Sequence, residues 1–373
     1  MRLYCYSLTL LAALLWSCGP GAEAPPPAGT APLLTHYAPA QAQANGLKAV
    51  LVSGDEEYRS EEALPQLARI LAEHHGFDCT VLFAQDPAQP GLINPNYPNH
   101  IPGLEQLQQA DLLILFTRFR ALPDTQMAHF ETYLKAGRPI IGLRTATHAF
   151  RFQDTLSPWR HWGNYYQGPK EAWAGGFGQL VLGTNWYRHH GHHKHQSTRG
   201  VLAKEAQGHP VLNGIKTGEI WGPTDVYGIE LPLGADALPL VYGQVIDNTS
   251  TYDEDDIMYG MRPTHYALAS TNPGSESFYN PNDPMMPIAW LQPYQLPGGK
   301  VGQAMTSTMG ASTDFLDEEF RRLIVNAVYY LTGKTVPAEA KVDTVGNYQP
   351  TAFRFHEDSY WQNRRLRVPA SRP

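Results

Sequence analysis

Four short apolar runs punctuate the first half of the chain, at residues 48–52 (KAVLV), 78–83 (DCTVLF), 111–116 (DLLILF) and 138–143 (RPIIGL). Continuous apolar runs of this length, bounded by turn residues, read as strands buried on both faces. Between them the spacing becomes helical: Leu64, Leu67, Ile70 and Leu71 follow the first run, and Met127, Phe130, Tyr133 and Leu134 follow the third, closed by Gly137. Ser60 is placed to cap the first helix, with Glu61 and Glu62 at its positive end. A loop dense in Pro, Asn and Gly spans 87–102, and Leu104 and Leu107 mark a short helical turn. This alternation predicts an α/β fold built on a doubly wound, mostly parallel, flavodoxin-like sheet with loop-rich insertions.

After Phe150 the alternation weakens. Residues 177–182, 288–290 and 300–306 read as strands, and 317–332 (DEEFRRLIVNAVYYLT) as a strong amphipathic helix ended by Gly333. Asp314, behind the hydroxyl-rich turn 306–313, is a second residue placed to cap that helix. The tail from Val336 shows no core pattern.

Ligands bind beyond the carboxyl ends of strands in open α/β sheets, and right-handed crossovers bring those ends to one rim. That gathers Glu57, Arg59, Arg118, Arg120, Arg144 and His148. Each arginine alone could be an ordinary solvated charge, so the weight lies on their convergence. Trp159, Trp162, Tyr165, Tyr166 and Trp173 crowd an irregular, glycine-rich stretch that could present flat rings to a polyol or simply pack together.

The densest polar feature is YRHHGHHKHQSTR at 187–199. In an extended segment residues two apart share a face, so His190 with His192, or His193 with His195, could ligate one divalent ion such as zinc. The pair taken forward is His190 with His192. Candidates for a third ligand are Asp225, Glu219, His148 and His209. The run EIWGPTDVYG at 219–228 reads as a shaped loop that presents Asp225 as base or metal ligand beside Tyr227, with Trp221 a candidate substrate contact. An ordinary turn aspartate would need neither role.

The remaining composition narrows the picture. Of 373 residues, 17 % are charged and the net charge is −7, which offers no electrostatic footprint for nucleic acid. The apolar run from Leu3, behind Arg2, has the length of a signal-peptide core, so 1–17 is expected to be a signal peptide. Residues 18–45, rich in Ala, Pro and Gly, are expected to be a flexible tether, 46–334 the domain and 335–373 a C-terminal extension. Cys79 falls in a strand and reads as a small buried hydrophobe.

Several motifs resemble known families. Leu15-Trp-Ser-Cys18-Gly resembles a bacterial lipobox, which implies lipidation of Cys18, a membrane partner through that anchor, and a place in the cell envelope. Gly142-Leu143-Arg144 resembles the nucleophile turn of the class I glutamine-amidotransferase-like fold, with Arg144 where a cysteine stands; a protonated guanidinium cannot attack a carbonyl, so thiol chemistry is excluded. VLVSGDEEYRSEE, GRPIIGLRTATHAF, HHGHH, GHPVLNGI, WGPTDVYG and the run from PIAWLQPY to the late helix together resemble the trehalose-utilisation (ThuA-like) family over 48–333. The resemblance implies a role around saccharides, including keto-sugar derivatives of disaccharides, and no nucleotide cofactor. On that reading Arg144 and His148 orient or polarise a carbonyl or hydroxyl, Asp225 acts as base beside Tyr227, and Glu57, Arg59, Arg118, Arg120 and Trp221 hold the sugar. The rival readings are a carbohydrate-binding lipoprotein without catalysis and a metal-binding scaffold.

Overall fold

The structure is a computed structural model that describes residues 31–275 and 279–371. The expected signal peptide, residues 1–17, and Cys18 lie outside the described residues. The described residues form one compact unit.

In chain order the strands are β1 (Leu34–Tyr37), β2 (Lys48–Gly54), β3 (Asp78–Phe83), β4 (Leu112–Thr117), β5 (Ile140–Leu143), β6 (Trp186–His189), β7 (Gln196–Leu202), β8 (Trp221–Gly222), β9 (Tyr227–Ile229), β10 (Leu238–Asp247), β11 (Met286–Gln295) and β12 (Val301–Ser307). The helices are α1 (Ser60–His75), α2 (Asp124–Lys135), α3 (Gly176–Leu182), α4 (Glu318–Leu331) and α5 (Asp358–Arg364). Ten strands form one sheet in the order β1-β3-β2-β4-β5-β12-β11-β10-β7-β8, and β6 pairs with β9 apart from it.

The sheet is mixed. Neighbours from β3 through β12 run parallel, whereas β1 on one flank and β11, β10, β7 and β8 on the other pair antiparallel. The α/β class holds, and the parallel part covers the four runs read from sequence plus β12. The chain leaves β2 for β3 on one side and returns to β4 on the other, so the carboxyl ends of β2 and β4 flank a topological switch point.

Both faces of this sheet are covered. Along β4, Leu112, Ile114 and Phe116 join a core with α1 and α4, while Leu113 and Leu115 join a second core with α2 and α3. This two-sided burial is why these strands read as unbroken apolar runs.

Several expectations change. Residues 34–37, inside the expected tether, form the edge strand β1, with Tyr37 buried. Residues 176–182 are a helix; seven residues are too few for periodicity to separate helix from strand. Ser60 is not the cap of α1: it begins the helix and its hydroxyl pairs with Ser53 Oγ at 2.8 Å and accepts from Asp55 N at 3.1 Å. Asp317, whose Oδ1 accepts from Phe320 N at 2.7 Å, caps α4. Asp314 instead accepts from Gly310 N, Ala311 N and the Thr224 hydroxyl, joining the turn after β12 to the loop before β9. The C-terminal segment packs onto the body, burying Ala340, Val342, Phe353, Trp361 and Val368.

Candidate functional site

Asp225 is the centre of the site. It lies fully buried between β8 and β9, and its carboxylate takes three charged or polar partners: Arg144 Nη2 at 2.9 Å, His189 Nδ1 at 2.8 Å and His193 Nδ1 at 3.0 Å. Burial alone would raise its pKa, but the Arg144 charge and the imidazole hydrogen bonds outweigh it and hold the carboxyl well below the usual range. His193 also faces Glu57, Nε2 to Oε1 at 3.3 Å. Burial opposes its protonation, yet hydrogen bonds to Asp225 and Glu57 push its pKa up to about 9.

Arg144 follows β5 with φ of +43°, a left-handed conformation rare for a side chain of this size. Its amide donates to Met309 O at 3.2 Å, and the close approach needs Gly310, where an added Cβ would stand 3.1 Å from Leu143 Cβ. The guanidinium lies between the rings of Tyr58 and Tyr227, 4.4 and 5.1 Å from their centroids. Nη1 donates to the carbonyls of Asp225 and Thr308, both at 2.8 Å, and Nη2 also donates to Tyr58 Oη at 3.1 Å. Arg144 is therefore the counter-ion beneath Asp225. The Tyr227 hydroxyl, 2.6 Å from the Arg144 carbonyl, braces the same turn.

Above this floor lies a small cavity of about 80 Å³, bordered by Glu57, Arg118, His148, Trp186, His189 and Phe355 among others. The turn after β2 is braced by Asp55, whose carboxylate accepts from the amides of Glu57 and Tyr58 and, across the switch point, from Thr145 Oγ1 at 2.7 Å. Arg118 Nη1 donates to Glu56. His148 sits between Phe119 and Trp186, ring centroids 5.0 and 5.2 Å away. Burial, with Arg118, Arg144 and His189 nearby, takes its pKa well below the ordinary value and keeps the ring neutral.

Of the six residues gathered from the strand ends, the structure brings Glu57, Arg118, Arg144 and His148 together, and it adds Asp225 and Tyr227 from the 219–228 loop. It places others elsewhere. Arg59 is buried and turned to the C-terminal segment, donating to Ala352 O at 3.3 Å and Arg354 O at 2.7 Å. Arg120 spends its donors on Glu56 and the carbonyls of Pro95, Tyr97 and Arg118. Trp221 is buried, donating to Ser197 Oγ at 3.2 Å. His190 is held by Pro281 O and Tyr279 Oη at 2.7 and 3.0 Å, and His192 stacks on His195. Glu219 pairs with Lys216 on the surface, and His209 packs on Tyr330. Within the aromatic stretch Trp162, Tyr166 and Trp173 are buried, Trp162 against Phe177 and Trp173, whereas Tyr165 is exposed.

His189 and His193 replace His190 and His192 because the segment does not stay extended. After β6 it turns, with the amides of His195 and Gln196 donating to His192 O and Lys194 at φ of +64°. In such a turn residues four apart come together. His189, His193 and Asp225 offer one ligand atom each, all within 4.8 Å of one another. Two imidazoles and a carboxylate are a donor set suited to zinc with coordination positions left for water or substrate, so these residues fit a divalent ion. Without an ion, Asp225 orients His189 as a base, as in Asp-His pairs generally.

No family profile and no curated protein matches the chain. Among the solved structures similar to it are two named as ThuA-like proteins. One, of a ThuA-like protein from Bacteroides uniformis, has 18 % identity and a TM-score of 0.44, covering 79 % of this chain and 95 % of that one. The other, of a ThuA-like protein from Parabacteroides merdae, has 12 % identity and a TM-score of 0.45, covering 83 % and 97 %.

Proposed function

We propose that the protein is an exported, lipid-anchored enzyme that acts on a saccharide or keto-sugar derivative with the help of a divalent metal ion. The observation that carries the catalytic part is the convergence of His189, which borders the cavity, and His193 on the buried, ionised Asp225. The saccharide class rests on the sequence resemblance to the ThuA-like family, and export on the leader and Cys18.

Within this reading each residue has a task. A metal ion on His189, His193 and Asp225 would supply Lewis-acid polarisation of a carbonyl or hydroxyl oxygen. Arg144 keeps Asp225 ionised. Glu57, at the cavity wall and in reach of His193, takes a proton from a sugar hydroxyl or from the carbon beside a carbonyl. His148, held neutral, orients the substrate oxygen by a hydrogen bond. Arg118 binds a second oxygen.

The test is metal content by mass spectrometry on the untagged domain purified without added metal, beside His189→Ala and Asp225→Ala. The reading expects near-stoichiometric metal lost in both variants, and turnover of keto-sugars that falls at least 100-fold with it. Metal-free, folded wild-type protein would overturn the metal role. Tight saccharide binding with no turnover would shift the assignment to a carbohydrate-binding protein.

A further inference from the structure

The C-terminal segment supplies one wall of the site. It is fixed on both sides of residue 355. Phe353 is fully buried, stacked on Tyr58 with centroids 5.4 Å apart and edge-on to His193 at 5.5 Å. Its carbonyl accepts from Tyr259 Oη, and the neighbouring carbonyls of Ala352 and Arg354 accept from Arg59. Further on, Trp361 is buried beneath the Arg59 guanidinium, 5.2 Å from the ring centroid. Phe355, between these anchors, is 53 % exposed although it borders the cavity. Phe355 is thus an apolar ring held half in water at the cavity's border, on a stretch of chain tied down at either end.

What the ring does touch is Arg118. The guanidinium lies between Phe119 and Phe355, 4.7 and 4.9 Å from the two centroids. Nη1 is committed to Glu56, and among the described residues neither Nε nor Nη2 donates a hydrogen bond to the protein. A planar cation held between two rings keeps its edge fixed, so the remaining donors present a constant geometry to whatever enters. The enclosed space of about 80 Å³ is well under the roughly 300 Å³ at which sites for whole small molecules begin.

We propose that Phe355 is the specificity-determining residue of this site: its ring bounds the mouth and fixes Arg118, restricting the ligand to a single sugar ring that offers an oxygen to the Arg118 N–H groups. The inference rests on the saccharide reading above and adds the ligand's size and the group that measures it. Longer saccharides meet the Phe355 ring before their first residue reaches Glu57 and His189. Removing the ring opens that side and frees the Arg118 side chain.

Two measurements on full-length protein, wild type against Phe355→Ala and Phe355→Tyr, test it separately. The first is acylation of His148 by diethyl pyrocarbonate, followed by peptide mass spectrometry, which reads access to the cavity without any sugar. Phe355→Ala is expected to accelerate it at least 5-fold and Phe355→Tyr less than 2-fold, with thermal unfolding unchanged because the side chain is half exposed. The second is calorimetric binding of glucose, trehalose and maltotriose. Wild type is expected to favour glucose, and Phe355→Ala to lose that preference by at least 5-fold while Phe355→Tyr keeps it. An unchanged acylation rate in Phe355→Ala overturns the proposal whatever the sugars do, and so does an unchanged order of sugar affinities. Faster acylation with no sugar bound by any of the three proteins overturns the saccharide reading instead, and assigns the gate to another class of oxygen-bearing ligand.

Discussion

At the scale of single residues the site turns on a buried ion pair. Arg144 and Asp225 are both almost wholly shielded from water, and each satisfies the other in a place where neither charge could stand alone. Arg144→Met is expected to destabilise the fold by about 3–5 kcal/mol, because it strands a buried carboxylate. Adding Asp225→Asn to it should recover part of that loss, so the two changes are less than additive in chemical denaturation. The folded pKa of Asp225 is depressed, so its contribution is complete above the unfolded value near 3.8 and is lost as pH falls further. The wild-type advantage over Arg144→Met should therefore be level from pH 7 to about 5 and shrink only below about 4. Arg144 and Asp225 were both legible in the sequence, one as the residue ending an apolar run and the other as an acid in a Gly-Pro-bracketed loop. The histidines were legible as a cluster but not by position, since alternation assumes an extended chain and a turn at 192–196 brings 189 and 193 together instead.

At the scale of elements, the first turn of α1 and the C-terminal segment form a clasp. Arg59 holds the segment's carbonyls, and Glu62 accepts from Thr351 N and Oγ1, both at 2.8 Å. Glu61 sits beneath them with both carboxylate oxygens buried and no hydrogen-bond partner among the described residues. Arg59 Nη1 stays 3.8 Å away. A carboxylate is ordinarily favoured at a helix N-terminus, but here burial dominates and pushes the pKa from 4.5 up to about 8. A raised carboxyl gives full stability below its unfolded pKa and loses it as pH rises through the folded one. Glu61→Gln should thus match wild type near pH 4.5 and exceed it by about 2–4 kcal/mol at pH 8 in urea denaturation. Nothing in the sequence announced this clasp. The tail's buried residues are widely and irregularly spaced, and it is held by side chains of α1 that bind its carbonyls, an interaction with no period to read. By contrast α1, α2 and α4 were legible because their apolar residues recur at helical spacing over several turns. For α3 the sequence had only seven residues, and the helix is set by contact: Gly178 lies against the turn after β5, where an added Cβ would stand 1.9 Å from Thr147 O.

At the scale of the whole molecule, the site is assembled from the two halves of the mixed sheet. The parallel half contributes Glu57, Arg118, Arg144 and His148 at its strand ends, and the segments leading into and out of the antiparallel half contribute His189, His193 and Asp225. The parallel half was legible because strands buried on both faces advertise themselves. The strands of the other half were less so, being partly exposed or very short, as the two-residue β8 shows. Joining the halves has a thermodynamic consequence if the three ligands hold an ion. Binding to the folded state alone stabilises it by about 2.7 kcal/mol at 100 times Kd. The unfolded chain lacks the preformed site. Zinc should therefore raise the unfolding midpoint of wild type in a concentration-dependent way and leave Asp225→Ala unmoved. In the ion-free protein His193 is protonated, with its pKa raised to about 9 by Asp225 and Glu57. An incoming ion must displace that proton, since only the neutral imidazole ligates. Below pH 9 at least one proton should then be released per ion bound, and affinity should rise with pH between 6 and 8. Calorimetry in buffers of different ionisation enthalpy counts that proton; finding none, with zinc still bound, would place the ion away from His193.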